Sequence, residues 1–328
     1  MRDTVVDLDV IKGAIRLACR APSLHNSQPW RWEVDGNTVH LYLDRNRVLY
    51  RTDRAGREAI ISCGAVLDHF RVAMAAAGCM ANIDRFPSTK SPDHLASVEF
   101  SLMDLVTDAD RRRAQAIPSR RTDRLPFAPP TEWASFEESV HNSIHTDTVR
   151  LDVLSEDARP ELKNASVLTE SLRLNDPYYH TELDWWTAPY EASQGIPYSS
   201  LASADERKRV DVGRTFPAPR HQEQRTDVPI DYSKVVVLST YGDSHLDALR
   251  CGEALSSVLL ECTMLGLATC TLTHVTELEA SRHLIAALIG QDTTPQVLIR
   301  VGVVPSTGDV PPATPRRPVD EVLIVRRK

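Results

Sequence analysis

Residues 119–127 read Ser-Arg-Arg-Thr-Asp-Arg-Leu-Pro-Phe, so Arg120, Arg121 and Arg124 surround the hydroxyl of Thr122. Guanidinium groups offer forked donors that match a phosphate, and a nearby hydroxyl adds one more. A run of this kind either cradles an anion or forms a solvated loop beside a linker. A second polar group, Ser23, Asn26 and Gln28, stands just before Pro29 and Trp30. Its amides either meet a ligand or cap and turn the backbone ahead of the proline. A third group, Thr271, Thr273 and His274, follows Gly266. In isolation the threonines are ordinary strand residues, and the histidine suits a structural role as well as a ligand contact. Arg316 and Arg317 interrupt a Pro-rich tail at 305–318.

Several chemistries are excluded. The chain lacks G-x-G-x-x-G, a Walker loop, G-x-S-x-G and H-E-x-x-H, which argues against a dinucleotide-binding Rossmann domain, a P-loop enzyme, an α/β-hydrolase and a zinc protease. Its six cysteines form no C-x-x-C pair, so they read as reduced, buried small residues, and no metal site is expected. A formal net charge of −7 argues against a nucleic-acid binder. The most apolar stretches, 235–238 and 297–304, are too short to cross a bilayer, and the first residues lack a signal-peptide core. The expected location is the cytoplasm, without membrane or nucleic-acid partners.

The 328 residues suit two domains or one large one. Residues 10–20 show helical spacing and stop before Pro22. Residues 30–34 and 38–43 read as strands joined by Asp35-Gly36, a hairpin signal. Asp53 is placed to cap a helix that ends at Gly78, with Ile60, Phe70 and Met74 facing inward. Strands are expected near 80–86 and 97–103, then a charged link at 108–115 leading to Pro118. A strand at 148–154 and a helix at 156–174 precede a poorly periodic stretch, 175–227, with seven aromatic residues. That stretch is too aromatic for a disordered linker. A β-branched strand at 234–240, a helix at 245–265, strands at 268–273 and 296–304, and a helix at 277–289 complete the pattern.

Two of these helices repeat each other. Cys63-Gly64 and Cys251-Gly252 occupy matching places, and Gly78 and Gly266 close the two helices before a strand. Self-similarity of this kind points to internal duplication.

Three segments carry a family resemblance. Residues 21–30, Ala-Pro-Ser-Leu-His-Asn-Ser-Gln-Pro-Trp, resemble the P-S-x-x-N-x-Q-P-W signature of flavin-dependent nitroreductases. Residues 119–127 resemble the R-R-S/T-x-R-x-F start of that family, and residues 265–274 its G-L-G-type turn. The sequence is identified as a member of the nitroreductase-like flavoproteins and is similar to the Acg-like subgroup of actinobacteria.

The resemblance implies an α+β nitroreductase fold. Ordinary members carry the arginine segment first and the P-S-x-x-N-x-Q-P-W segment second, and two subunits share parts. Here the order is reversed and each half keeps one part. That implies two tandem half-units, 1–117 and 118–328, forming an internal pseudo-dimer that is monomeric in solution. By the same resemblance FMN is the cofactor. Arg120, Arg121, Thr122, Arg124, Arg316 and Arg317 would hold its phosphate. Ser23, Asn26, Gln28, Thr271, Thr273 and His274 would approach its ring. NAD(P)H would donate hydride through flavin N5 to a nitroaromatic or quinone, a small aromatic acceptor. No catalytic side chain is required for that step. The alternative is a protein that stores or sequesters FMN under a lid formed by 175–227; a colourless protein acting only through interactions is a third possibility.

Overall fold

The computed structural model describes residues 6–131, 133–144, 147–188, 193–217, 223–290, 292–305 and 313–326. Tyr190 of the aromatic stretch and residues 306–312 of the tail lie outside the described residues.

The chain runs through α1 (Leu8–Ala18), then the hairpin β1 (Trp30–Asp35) and β2 (Thr38–Leu43), α2 (Arg57–Ala76), β3 (Cys79–Arg85) and β4 (His94–Leu102). Two helices follow, α3 (Asp108–Ser119) and α4 (Trp133–Ser143). Next come β5 (Val149–Leu154), α5 (Arg159–Arg173), α6 (Pro177–Trp186), β6 (Thr187–Ala188), β7 (Ile196–Pro197) and α7 (Ala204–Lys208). It continues through β8 (Lys234–Thr240), α8 (His245–Met264), β9 (Ala268–Leu272), α9 (His274–Glu277), α10 (Glu279–Leu288) and β10 (Thr294–Gly302). The chain closes with α11 (Val319–Val322) and β11 (Leu323–Val325).

Two sheets carry the fold, in the orders β11-β1-β2-β4-β3 and β5-β8-β10-β9. Apart from β11, the two share one plan. Two strands pair antiparallel, a long helix follows, and two more strands pair antiparallel, the last of them beside the second. β11 returns to the first sheet and pairs parallel to β1, with Leu323 opposite Trp32. The C-terminus thus ties the second half of the chain to the first.

Between the sheets, α2 and α8 cross. Both are 20 residues long and buried on most sides. The sequence explains how closely they meet. A Cβ at Gly64 would lie 2.0 Å from the carbonyl oxygen of Leu249, and one at Gly252 would lie 2.0 Å from that of Ile61. Only glycine admits such backbone contact. One turn further on, Ser256 donates to Asp68 at 2.6 Å, so matching positions of the two helices meet again. One continuous core runs through both helices and includes Trp30, Trp32, Phe70, Leu249, Leu259 and Ile299.

Most elements agree with the sequence expectations to within a few residues. All six cysteines are free and buried. Three expectations need correction. The charged link at 108–115 is helix α3, started by a Thr107/Asp110 capping box, and Pro118 lies in its last turn rather than ahead of a break. Helix α8 ends at Met264 rather than at Leu265, which is its C-terminal cap and 47% exposed. The 175–227 stretch holds two short helices, and Tyr178 and Trp185 are exposed while Tyr179 is buried. Helix α2 is long and apolar enough to cross a membrane by composition, but 83% of its most apolar window is packed inside the protein.

Candidate functional site

A cavity of about 420 Å³ opens between the Pro22–His25 turn, helix α2, strand β9 and the 202–216 segment. Its size suits a small organic ligand. Pro22, Ser23, Leu24 and His25 form one wall and Glu58, Ile61 and Ser62 of α2 another. Thr122, Arg124 and the Cys270–His274 backbone run along a third side. Val210 to Phe216 line the remaining side.

The Ser23 wall is a strained turn. His25, Asn26 and Gln28 have φ of 47°, 57° and 52°, a left-handed backbone that residues with a Cβ rarely adopt. Such strain persists only where surrounding bonds impose it. Here Ser62 Oγ accepts from the Leu24 amide at 3.2 Å, and Ser23 Oγ from the Gln28 amide at 3.0 Å. The amide side chains do the rest. Asn26 Nδ2 donates to Gly195 O at 3.0 Å and Pro315 O at 3.2 Å. Gln28 Nε2 donates to Ser193 O at 2.8 Å, and its Oε1 accepts from the Arg317 amide at 2.9 Å. Asn26 and Gln28 therefore clasp the tail and the 193–195 segment and do not line the cavity.

Beyond Pro22 and Thr122 the arginines gather. Arg120 caps α3, is almost fully buried, and donates through Nη2 to Arg20 O at 3.3 Å. Arg316 donates to the same Arg20 carbonyl and to Ala21 O, both at 3.3 Å. Nε and Nη1 of Arg120 and Nε of Arg121 and Arg316 are buried without partners. Burial, together with Arg20 and Arg121, lowers the Arg120 pKa to about 10. Burial and the charges of Arg120 and Arg20 push Arg316 well below its ordinary value. Among the described residues none of Arg20, Arg120, Arg121 or Arg316 forms a salt bridge, although Arg317 reaches Glu321 at 3.4 Å. Buried like charges with idle N–H groups are costly; an anion placed among them removes the cost. His69 of α2 adjoins this cluster. Its Nδ1 meets Ser256 Oγ at 2.7 Å, its Nε2 is buried without a partner, and burial with Arg120 holds its pKa down at about 3.

The cavity itself is walled differently. His25 is buried with both ring nitrogens unpartnered, and its ring meets Phe216 edge-on at 5.7 Å. The Arg124 guanidinium lies 5.3 Å from the same Phe216 ring and donates to Ser200 O at 3.3 Å. His274 Nε2 bonds Ser166 Oγ at 2.8 Å, and burial beside Arg214 keeps it neutral. Thr271 and Thr273 line the floor. Arg214 is held by Glu277 and by Tyr179 Oη, the latter at 2.9 Å, which anchors the 210–216 segment.

Of the residues singled out in the sequence, Ser23, Thr122, Arg124, Thr271, Thr273 and His274 line the cavity. Arg120, Arg121 and Arg316 form the cationic cluster beside it, with Arg317 at its edge. Arg20, His25, Glu58, Arg214 and Phe216 were not singled out. The helix end at Arg20 and the first-turn position of Glu58 carry no motif, and only the fold brings them here.

No family model matches the chain. It is 61% identical over its full length to the Mycobacterium tuberculosis protein named "Putative NAD(P)H nitroreductase acg", of which it covers 99%. It is 54% identical over 97% of its length to an uncharacterized protein of the same organism, covering 94% of that protein. Among solved structures it is similar to the FMN-dependent nitroreductase NfnB of Mycobacterium smegmatis in complex with NADPH, with 16% identity, a TM-score of 0.41, and coverage of 67% of this chain and 100% of that one. By its identity to the curated relatives, the chain belongs to the Acg-like branch of the NAD(P)H nitroreductase family.

Proposed function

We propose that the cavity binds FMN and that the protein is an NAD(P)H-dependent reductase of nitroaromatics or quinones. The observation that carries this is an arginine cluster, centred on buried Arg120, with buried and idle donor atoms beside a cavity of ligand size. Arg20, Arg120, Arg121 and Arg316 take the phosphate, with Arg317 beside them and Thr122 and Arg124 between the cluster and the ring. Ser23, His25, Thr271, Thr273 and His274 border the flavin ring. Asn26 and Gln28 act at one remove, by holding the strained turn that presents Ser23 and His25. FMN, when bound, supplies the hydride chemistry. The protein supplies binding, orientation and exclusion of water.

The two half-units, 1–117 and 118–328, form an internal pseudo-dimer. The shared strand plan of the two sheets and the glycine-to-glycine crossing of α2 and α8 support this. Because residues of both units border the cavity, a second copy is not needed to complete it, and we assign a monomer acting in the cytoplasm.

A second function, storage of FMN with little turnover, is supported by Val210 to Phe216 bordering the cavity, from where the segment can restrict access to it. An anaerobic visible spectrum before and after NADH or NADPH separates the two. Rapid bleaching of a flavin spectrum supports the reductase. A spectrum that bleaches only with dithionite supports storage, and a colourless protein with no FMN affinity refutes both.

A further inference from the structure

Hydride transfer to a quinone leaves an oxyanion, and one proton must reach it in a cavity shielded from water. A second cavity, of about 630 Å³, lies behind α2, lined by charged groups that include Asp53, Arg57, Asp243, Glu277 and Arg282. Among the described residues, only Glu58 lines both cavities. It sits in the first turn of α2 and is 2% exposed. Its Oε1 accepts from Arg57 Nη2 at 3.1 Å, while its Oε2 is buried with no partner.

We propose that Glu58 is the proton donor of the main cavity, passing a carboxyl proton to the oxygen of a quinone acceptor and being recharged from water in the second cavity. The inference rests on the proposed function, which supplies the hydride from reduced flavin. One hydride and one proton add across the conjugated carbonyl pair. The O–H bond of Glu58 breaks, the hydroquinone O–H forms, and the carboxylate left behind regains its proton from solvent.

The surroundings suit a neutral acid. Asp53 of the preceding loop and Glu277 of α9 face Glu58 with like charge, and Arg57 of its own helix and Arg214 of the 210–216 segment oppose them. Both carboxylates are already engaged: Asp53 accepts from the Ala59 amide at 2.9 Å, and Glu277 holds Arg214. Burial, then Glu277 and Asp53, raise the Glu58 pKa well above the usual carboxylate range. On the second-cavity side stand His245 and His283, with Glu279, Asp243 and Arg282. A general acid needs a pKa near working pH, and its removal typically slows proton transfer about 100-fold or more.

The test uses two readouts. Infrared spectra of FMN-free protein at pH 7 are expected to show a protonated-carboxyl stretch that exchanges readily in D2O and disappears in Glu58→Gln. Because that sample holds no flavin, a protein that never takes up FMN refutes the cofactor assignment without touching this readout. Photoreduced, FMN-loaded protein is then mixed with benzoquinone. Glu58→Gln is expected to slow reoxidation about 100-fold with FMN affinity preserved, and Glu58→Asp to restore part of the rate. Lack of the infrared band in the wild type, its survival in Glu58→Gln, an unchanged quinone step in that variant, or a wild-type protein that quinone does not reoxidise would each overturn the proposal.

Discussion

Replacing Gly64 with alanine adds one methyl group where α2 and α8 touch. The new Cβ would lie 2.0 Å from Leu249 O, 2.9 Å from the Gly252 Cα and 3.0 Å from the Glu253 amide nitrogen, whereas ordinary contact begins near 3.4 Å. All three obstacles are backbone, so no side chain can swing aside, and the helices must part by more than an ångström. Overpacking a core costs about 1–3 kcal/mol when side chains adjust. Here both helices also hold their sheets, so the loss is expected at or above about 3 kcal/mol, a large share of the roughly 5–15 kcal/mol that stabilises a typical domain. Urea unfolding followed by circular dichroism measures it. Gly13→Ala is the internal control, because a Cβ there meets nothing within 4 Å. In helix α1 that change is expected to raise stability by about 0.5–1 kcal/mol. A Gly64→Ala protein with the wild-type midpoint would refute the packing argument, and with it the view that glycine at matching positions is what lets the two units join.

Three further outcomes follow from the site. Arg120→Met removes a buried, unpaired cation, so the ligand-free protein is expected to gain stability while FMN affinity falls at least about tenfold; calorimetry and flavin titration measure the two, and a loss of both would contradict the anion-site assignment. His25, His69 and His274 are buried with depressed pKa values, so their contribution is present above the unfolded value of 6.5 and is lost as pH falls below it. Glu58, whose raised pKa stabilises the fold as pH falls, opposes the three histidines, and their greater number leaves a net loss of stability on acidification; urea midpoints between pH 6.5 and 5 check it, and a flat profile would contradict it. Phe216→Ala removes the ring facing His25 and Arg124 and is expected to speed bleaching of bound flavin by NADPH in stopped flow. An unchanged rate would show that the 210–216 segment does not control access.

Much of the scaffold was legible because its signals are local. The β-branched run of β8 gives the strand with the same bounds that the structure shows, and Asp35-Gly36 marks the β1–β2 hairpin. The Cys-Gly repeat pointed to the two helices that cross. Helix α3 was less legible although Thr107 and Asp110 spell its capping box, because its charged first turns bury nothing and Pro118 sits in its last turn. Strand β11 was not legible: three residues joining β1 by parallel pairing, almost 300 positions away in the chain, leave no local pattern. The site divides in the same way. The arginines at 120, 121 and 124 and the threonines after Gly266 stood out as runs. Glu58 and Arg214 become site residues only when the capping turn of α2 and the aromatic insertion fold against one cavity. Asn26 and Gln28 stood out as ligand contacts, and their type proved informative for another reason: they are short polar side chains that can brace a left-handed turn.

The most direct measurement compares FMN with riboflavin, which shares the ring and lacks the phosphate. Flavin fluorescence quenching on titration into the FMN-free protein gives both affinities. Because two or more charge-assisted contacts from Arg20, Arg120, Arg121 and Arg316 act on the phosphate alone, FMN is expected to bind at least about 100-fold tighter. Equal affinities, or no binding of either flavin, would contradict the assignment of the arginine cluster as the FMN phosphate site.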